Sequence, residues 1–222
     1  MNGIENAIDA SGGILYLMAL LLFVALTVVI ERGWFLWTTL QKGKQVMTEV
    51  EDTPHLDVTK LKQLDQQFPT LPHAYVMKVA LQHDVAHDFE HFADKLDESI
   101  MKAAPKVDRY LWMLDTIVTM APLIGLLGTI IGMFNAFHVL GNAGGAPTRI
   151  TGGVAEALVA TASGLLIAII GLFFFNNLNN QARGVMHQME TLKLMLINRM
   201  YLHYQKNDEE ISPLKQTLGS PL

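Results

Sequence analysis

An all-α integral membrane protein with three spans is encoded by these 222 residues, on three grounds. Half of the chain is apolar and only 17% is charged. Three runs, Gly12 to Ile30, Thr116 to Leu140 and Ala157 to Ala182, contain no Asp, Glu, Lys or Arg. Each exceeds the roughly 18 uncharged residues that read as a spanning helix. Outside them the apolar residues recur at three-and-four spacing, and no strand-type alternation competes.

Residues 1–12 form a short outer N-terminus whose only charges are Glu5 and Asp9. Span one covers 13–32. It lacks the basic start of a signal peptide, and Glu31-Arg32-Gly33-Trp34 follows it where a small-residue cleavage site would be, so it is expected to stay as an anchor. Arg32, Lys42 and Lys44 follow it, and Lys102, Lys106 and Arg109 precede span two, which places 33–114 on the cytoplasmic side as a helical domain. Trp34 and Trp37 fall at the depth of an interfacial aromatic belt. Pro54, Pro69 and Pro72 divide the first part of this domain into short helices.

From about His73 a helical pattern sets in, carried by Phe89, Phe92, Leu96, Ile100, Ala103, Val107, Leu111 and Leu114. It predicts one long helix, kinked at Pro105, that runs on into span two at 115–140. A periplasmic loop at 141–150 carries only Arg149, and span three covers 151–177. Beyond it, 178–222 reads as a cytoplasmic helix and tail, with a seam of Leu178, Ala182, Val185, Met189, Leu192 and Leu196 suited to neighbouring helices. After Lys206 the chain is expected to fray. The long extensions inside the cell complete the fold class: three transmembrane helices with cytoplasmic helical extensions.

Several function classes drop out. There is no cysteine, hence no disulfide and no thiolate chemistry. A net charge of −5 without a basic cluster argues against nucleic acid. No cofactor motif is present.

Two spans carry small-residue faces: Gly125, Gly128, Gly132 and Ala136 in one, Ala160, Gly164, Ala168 and Gly171 in the other. Such faces let helix backbones approach closely, either within one chain or within a ring of copies. Glu156 opens the last of the three apolar stretches, within the run TGGVAEALVATASGLLIAIIGLFFFNN. A carboxylate at this position either reaches the outer interface, where it could pair with Arg149, or faces a polar interior and marks an ion path. In the second case Thr129, Thr161 and Ser163 supply hydroxyls beside it. Thr161 lies five residues from Glu156, about 7.5 Å along the helix and about 140° around it.

The segments APLIGLLGTIIGMFNAF (121–137) and GGVAEALVATASGLLIAI (152–169), in this order across a short glycine-rich loop, resemble the signature spans of the MotA/TolQ/ExbB proton-channel family, in its ExbB/TolQ branch. The similarity runs from about Leu15 to Tyr204. It implies a subunit of the Gram-negative inner membrane, N-terminus outside and C-terminus inside. Five copies would form a homopentameric ring around two single-span ExbD- or TolR-like subunits, whose helix carries the proton on an aspartate. Matched motif by motif, Thr129 in GLLGT and Glu156 and Thr161 in AEALVAT would line the lumen, while Gly125, Gly128, Gly132, Ala160 and Gly164 would pack the helices. The family's AIP segment reads Ala168-Ile169-Ile170 here, so a proline kink is in doubt. An ExbB-like subunit would energise a TonB-like protein and transport across the outer membrane. The alternative is a TolQ-like subunit driving a TolA-like protein in envelope integrity and division. Flagellar stators of the MotA type have four spans and fit less well.

Other function classes fit the sequence less well. Ser163 and His138 could suggest an intramembrane serine protease, but no glycine-rich oxyanion turn accompanies them, and no enzymatic activity is expected. His83, His87 and His91 recur every fourth residue and could share a metal ion, although a solvated acidic face explains them with less and no metal site is assigned. A solute transporter would need an internal repeat or broken helices, which are not evident. A passive scaffold would have no use for Glu156.

Overall fold

The computed structural model describes residues 13–53, 58–82, 89–143 and 147–218, with side chains over 13–53, 58–82, 91–138 and 151–200. Among the described residues there are six helices and no strand: α1 (Ile14–Glu51), α2 (Val58–Gln67), α3 (His73–Gln82), α4 (Phe89–Val107), α5 (Leu111–Ala143) and α6 (Pro147–Leu218). Three of them, α1, α5 and α6, are long and apolar enough to cross a membrane. The chain is a multi-pass, all-helical membrane protein.

Two compact units divide it. The first combines the chain up to Trp34 with Tyr110–Asn179, and the second combines Phe35–Arg109 with the chain from Asn180 onward. In the first unit small residues are prominent among the buried side chains: Ala25, Ala121, Ala136, Ala157 and Ala160 are at most 6% exposed, beside larger ones such as Met18, Leu114, Ile117 and Leu178. Many large apolar side chains nevertheless point outward, with Ile30 71%, Phe23 69%, Phe134 69% and Phe173 69% exposed. This inversion is stable only where the surroundings are lipid or further protein.

The second unit has an ordinary core. Leu36, Val46, Leu61, Leu64, Met77, Phe92 and Leu96 are buried, and so are Ala182, Val185, Met189, Leu192 and Leu196 of α6. The seam read from the sequence therefore closes within a single chain. Polar ties hold its ends. Lys193 pairs with Asp97 at 2.5 Å, Lys106 donates to the Thr70 carbonyl at 2.9 Å, and the Arg199 guanidinium caps the end of α1 through the carbonyls of Val50, Glu51 and Thr53.

Two sequence expectations are corrected. The helical run does not pass unbroken into span two: α4 accommodates Pro105, continues to Val107, and the break falls at Asp108–Tyr110. Tyr110 adopts φ 65°, a left-handed conformation that a residue with a bulky side chain rarely takes. The Arg32 guanidinium lies 5.3 Å from its ring centre, a cation–π contact that offsets the strain. Beyond Lys206, where fraying was expected, α6 stays helical to Leu218. Pro213 does not end it, and the stop signals Gly219 and Pro221 follow Leu218.

Candidate functional site

The site begins with what is missing from the glycines. A Cβ on Gly164 would lie 2.4 Å from the Ala121 carbonyl oxygen, and one on Gly132 would lie 2.8 Å from the Ala157 Cβ. On Gly128 it would meet the Ala160 Cβ at 2.9 Å. No side chain fits at these points, so α5 and α6 pack backbone against backbone along Ala121, Gly125, Gly128, Gly132 and Ala136 on one side. On the other side run Gly153, Ala157, Ala160, Gly164 and Gly171. Ile167 joins this buried stripe, and Ala168, placed there from the sequence, is only half-buried.

Close approach has a chemical consequence at Gly125. With no side chain there, the Thr161 hydroxyl reaches across and donates to the Gly125 carbonyl at 2.8 Å. It also meets the Thr129 hydroxyl at 2.7 Å. Thr129 Oγ1 lies in addition 2.9 Å from the Leu126 carbonyl and 3.2 Å from that of Gly125. The two hydroxyl protons therefore have as acceptors the carbonyls of Gly125 and Leu126 and each other's oxygen. Each oxygen keeps a lone pair, and both residues are half-buried. Such a pair accepts hydrogen bonds readily, from water or from a neutral acid. To donate outward it must first give up an internal bond.

The structure brings Thr129 and Thr161 together but leaves Glu156 apart from them. At about 100° per residue, Thr161 and Glu156 lie on opposite edges of the stripe that α6 packs against α5. Glu156 is half-buried and hydrogen-bonds to no other described side chain. The Arg149 side chain lies outside the described set.

Ser163 donates to the Val159 carbonyl at 2.8 Å, the ordinary habit of a helical serine. The exposed His138 stacks on Phe134 with ring centres 6.2 Å apart. His83 and His87 lie outside the described residues, and among those described no group of three ligands gathers that could hold a metal. Three features had no clear sequence signal. Arg32, read only as a topology marker, is 3% exposed and forms a twofold contact with Glu31, at 2.5 and 2.8 Å. In the second unit His73 is fully buried against Gly43 and the Gln188 carboxamide. Burial lowers its pKa to about 4, opposed weakly by Gln188, which falls short of a hydrogen bond of normal geometry. Glu98, on the surface of α4, is held below the usual carboxylate range by the Lys102 ammonium at 2.5 Å.

Comparison with known proteins bears on the same segment. Residues 70–191 match the model of the MotA/TolQ/ExbB proton channel family. Two Synechocystis biopolymer transport proteins, named ExbB-like 1 and ExbB-like 3, are 31% and 32% identical to this chain. The first alignment covers 74% of this chain and 66% of the relative, the second 84% and 90%. The biopolymer transport protein ExbB of Neisseria meningitidis is 25% identical over 81% of this chain and 87% of its own length.

Proposed function

Because the chain belongs to the MotA/TolQ/ExbB proton channel family, in its ExbB branch, we propose that it is the ring-forming subunit of a machine driven by the proton-motive force. Five copies sit in the inner membrane with the N-terminus outside and the C-terminus in the cytoplasm. They enclose two single-span ExbD-like subunits and energise a TonB-like protein for transport across the outer membrane. The ExbB names of the relatives favour this over a TolQ-like role driving a TolA-like protein. The chain itself performs no catalysis.

The observation that carries this reading is the Thr129–Thr161 pair, 2.7 Å apart across two backbones held together by glycine. With its protons already engaged, the pair is a better host for a neutral carboxylic acid than for a carboxylate. A partner aspartate turning toward it is thus favoured when protonated and disfavoured when charged. Two helices inside a fivefold ring cannot present that aspartate equally to every copy. Each protonation therefore biases one rotational step, and a proton crossing about 100 mV supplies about 2.3 kcal/mol for it. Glu156, on the opposite edge of α6, reaches the polar interior from the boundary with the next copy. The extended α1 and α6 resist the torque.

Valine at 129 and 161 removes both hydroxyls at nearly constant volume. Thr129→Val with Thr161→Val is expected to co-purify with the single-span partner yet abolish TonB-dependent siderophore uptake. Full uptake by the double variant would overturn the role of the pair. Uptake that survives deletion of the chain, with envelope integrity lost instead, would move it to the Tol arm.

A further inference from the structure

Glu156 does not share the side of the hydroxyl pair, but another carboxylate does. Counting about 100° per residue around α5, Pro122, Leu126, Asp115 and Thr119 all lie within about 80° of Thr129. They lie on the same side of the buried stripe, the side on which Thr129 meets Thr161. Among the described residues nothing buries the lower part of this sector: Asp115 and Thr119 are exposed, and Leu126 is 55% exposed. The neighbouring outward face is apolar throughout its middle turns, with Leu123 65%, Leu127 50% and Phe134 69% exposed. Between residues 117 and 130 the exposed surface of this helix thus divides into a side that carries Thr119 and Thr129 and a side that is apolar; outside that stretch Thr116 lies on the apolar side, and Met133 and Phe137 on the side of Thr129.

Depth supports the assignment. Trp112, 68% exposed, stands where an interfacial aromatic would, and Asp115 lies three residues, about 4.5 Å, further into the apolar stretch. A carboxylate there that faced lipid would be costly, and among the described residues Asp115 has no ion-pair partner to reduce that cost. Between Asp115 and the hydroxyl pair, the Thr119 hydroxyl sits 3.0 Å from the Asp115 carbonyl and 2.9 Å from that of Thr116. Pro122 withholds an N–H from the carbonyl four residues earlier, leaving one more acceptor along the way. From Thr129 to Asp115 is about 21 Å along the helix, which carries the polar side from the hydroxyl pair to the end of α5 remote from residues 144–146.

We infer that Asp115 is the proton-transfer carboxylate at that end of the path, with Thr119 as the intermediate station. This rests on the pore role of Thr129 and Thr161. A proton released by the partner's acid passes along lumen water to the Asp115 carboxylate. Asp115 then loses it to the adjoining aqueous phase and is regenerated as the carboxylate.

The test uses the full-length chain in membranes, assembled with its single-span partner. Asp115→Asn is expected to lower proton flux and energy transfer by about a hundred-fold, the scale set by one positioned acid–base group. Asp115→Glu should retain most of both. Wild-type flux in Asp115→Asn, in a preparation where Thr129→Val with Thr161→Val is inactive, would sink this assignment and leave the pore reading intact. Wild-type flux in both would sink the pore reading as well. Because the chain has no cysteine, single cysteines give a second measurement that does not depend on Asp115→Asn assembling. Thr119→Cys and Leu126→Cys should react with a small charged thiosulfonate, while Leu123→Cys and Leu127→Cys at similar depth should not. Equal reactivity on the two sides would remove the watery sector on which Asp115 depends.

Discussion

The two units of this chain solve the packing problem in opposite ways. In the span-bearing unit the stripe between α5 and α6 is mainly glycine and alanine, and Phe23, Ile30, Leu123 and Phe134 look outward. In the other unit Phe92, Leu96, Met189 and Leu192 are buried, and charged groups such as Lys193 and Asp97 cap the rim. Burying a large apolar side chain gains about 1.5–3 kcal/mol when the alternative is water. It gains almost nothing when the alternative is a lipid tail, so there helices associate through close backbone contact and hydrogen bonds. Close contact in the first unit also builds the site, because only a glycine at 125 lets the Thr161 hydroxyl reach a backbone carbonyl of α5. In the second unit the core supports and does not shape a polar cleft of this kind.

Substitutions that exchange the logic of the two units should break them differently. The largest effect is expected at Gly164. Valine there has no room beside the Ala121 carbonyl and should cost more than about 3 kcal/mol, separating α5 from α6 and abolishing the hydroxyl pair. Gly152, with nothing within 4 Å of its would-be Cβ, should accept alanine within about 0.5 kcal/mol. Thermal unfolding of the solubilised protein, followed by size-exclusion chromatography, distinguishes the two, and equal losses would refute the close-contact account.

In the second unit, the cost of truncating a leucine depends on its burial. Leu192→Ala should cost about 3 kcal/mol through the cavity it leaves, whereas Leu194→Ala, 58% exposed before substitution, should be near neutral. The same unfolding assay applies. If Leu194→Ala proved the more damaging, that face would be an interface between chains.

A pH effect is expected in the second unit from His73. Its pKa is about 4 in the folded state and 6.5 when free, so between these values the unfolded chain binds the extra proton. Stability should therefore be unaffected by this group above pH 6.5 and fall as the pH drops toward 4. The slope is about 1.4 kcal/mol per pH unit and the total about 3 kcal/mol. Comparing wild type with His73→Leu isolates the term, since other carboxylates titrate in both. A difference independent of pH would show that His73 is protonated in the folded state.

Periodicity made much of this legible. Leu178, Ala182, Val185, Met189, Leu192 and Leu196 stood out by spacing, and all are buried. Tyr110 did not, because a left-handed tyrosine depends on Arg32 of a distant segment and has no local signature. Proline at 105 was the natural suspect for a break, yet the helix tolerates it and ends three residues from Tyr110. Thr129 and Thr161 were visible as hydroxyls in apolar runs, but their meeting was not. Asp115 carries no sequence signal of its own, because it stands immediately before an uncharged run.

What the linear order of residues determined was membrane residence, helix type, the number of spans and the family. These depend on the local density of apolar groups and on short motifs, each of which acts through its immediate neighbours. Only the tertiary structure decided which faces meet. It set Thr161 against Gly125 and Thr129, left Glu156 on the far edge, and sank His73 into a core. Those outcomes depend on distances between segments more than thirty residues apart, where a missing Cβ or an arginine from another helix tips the balance.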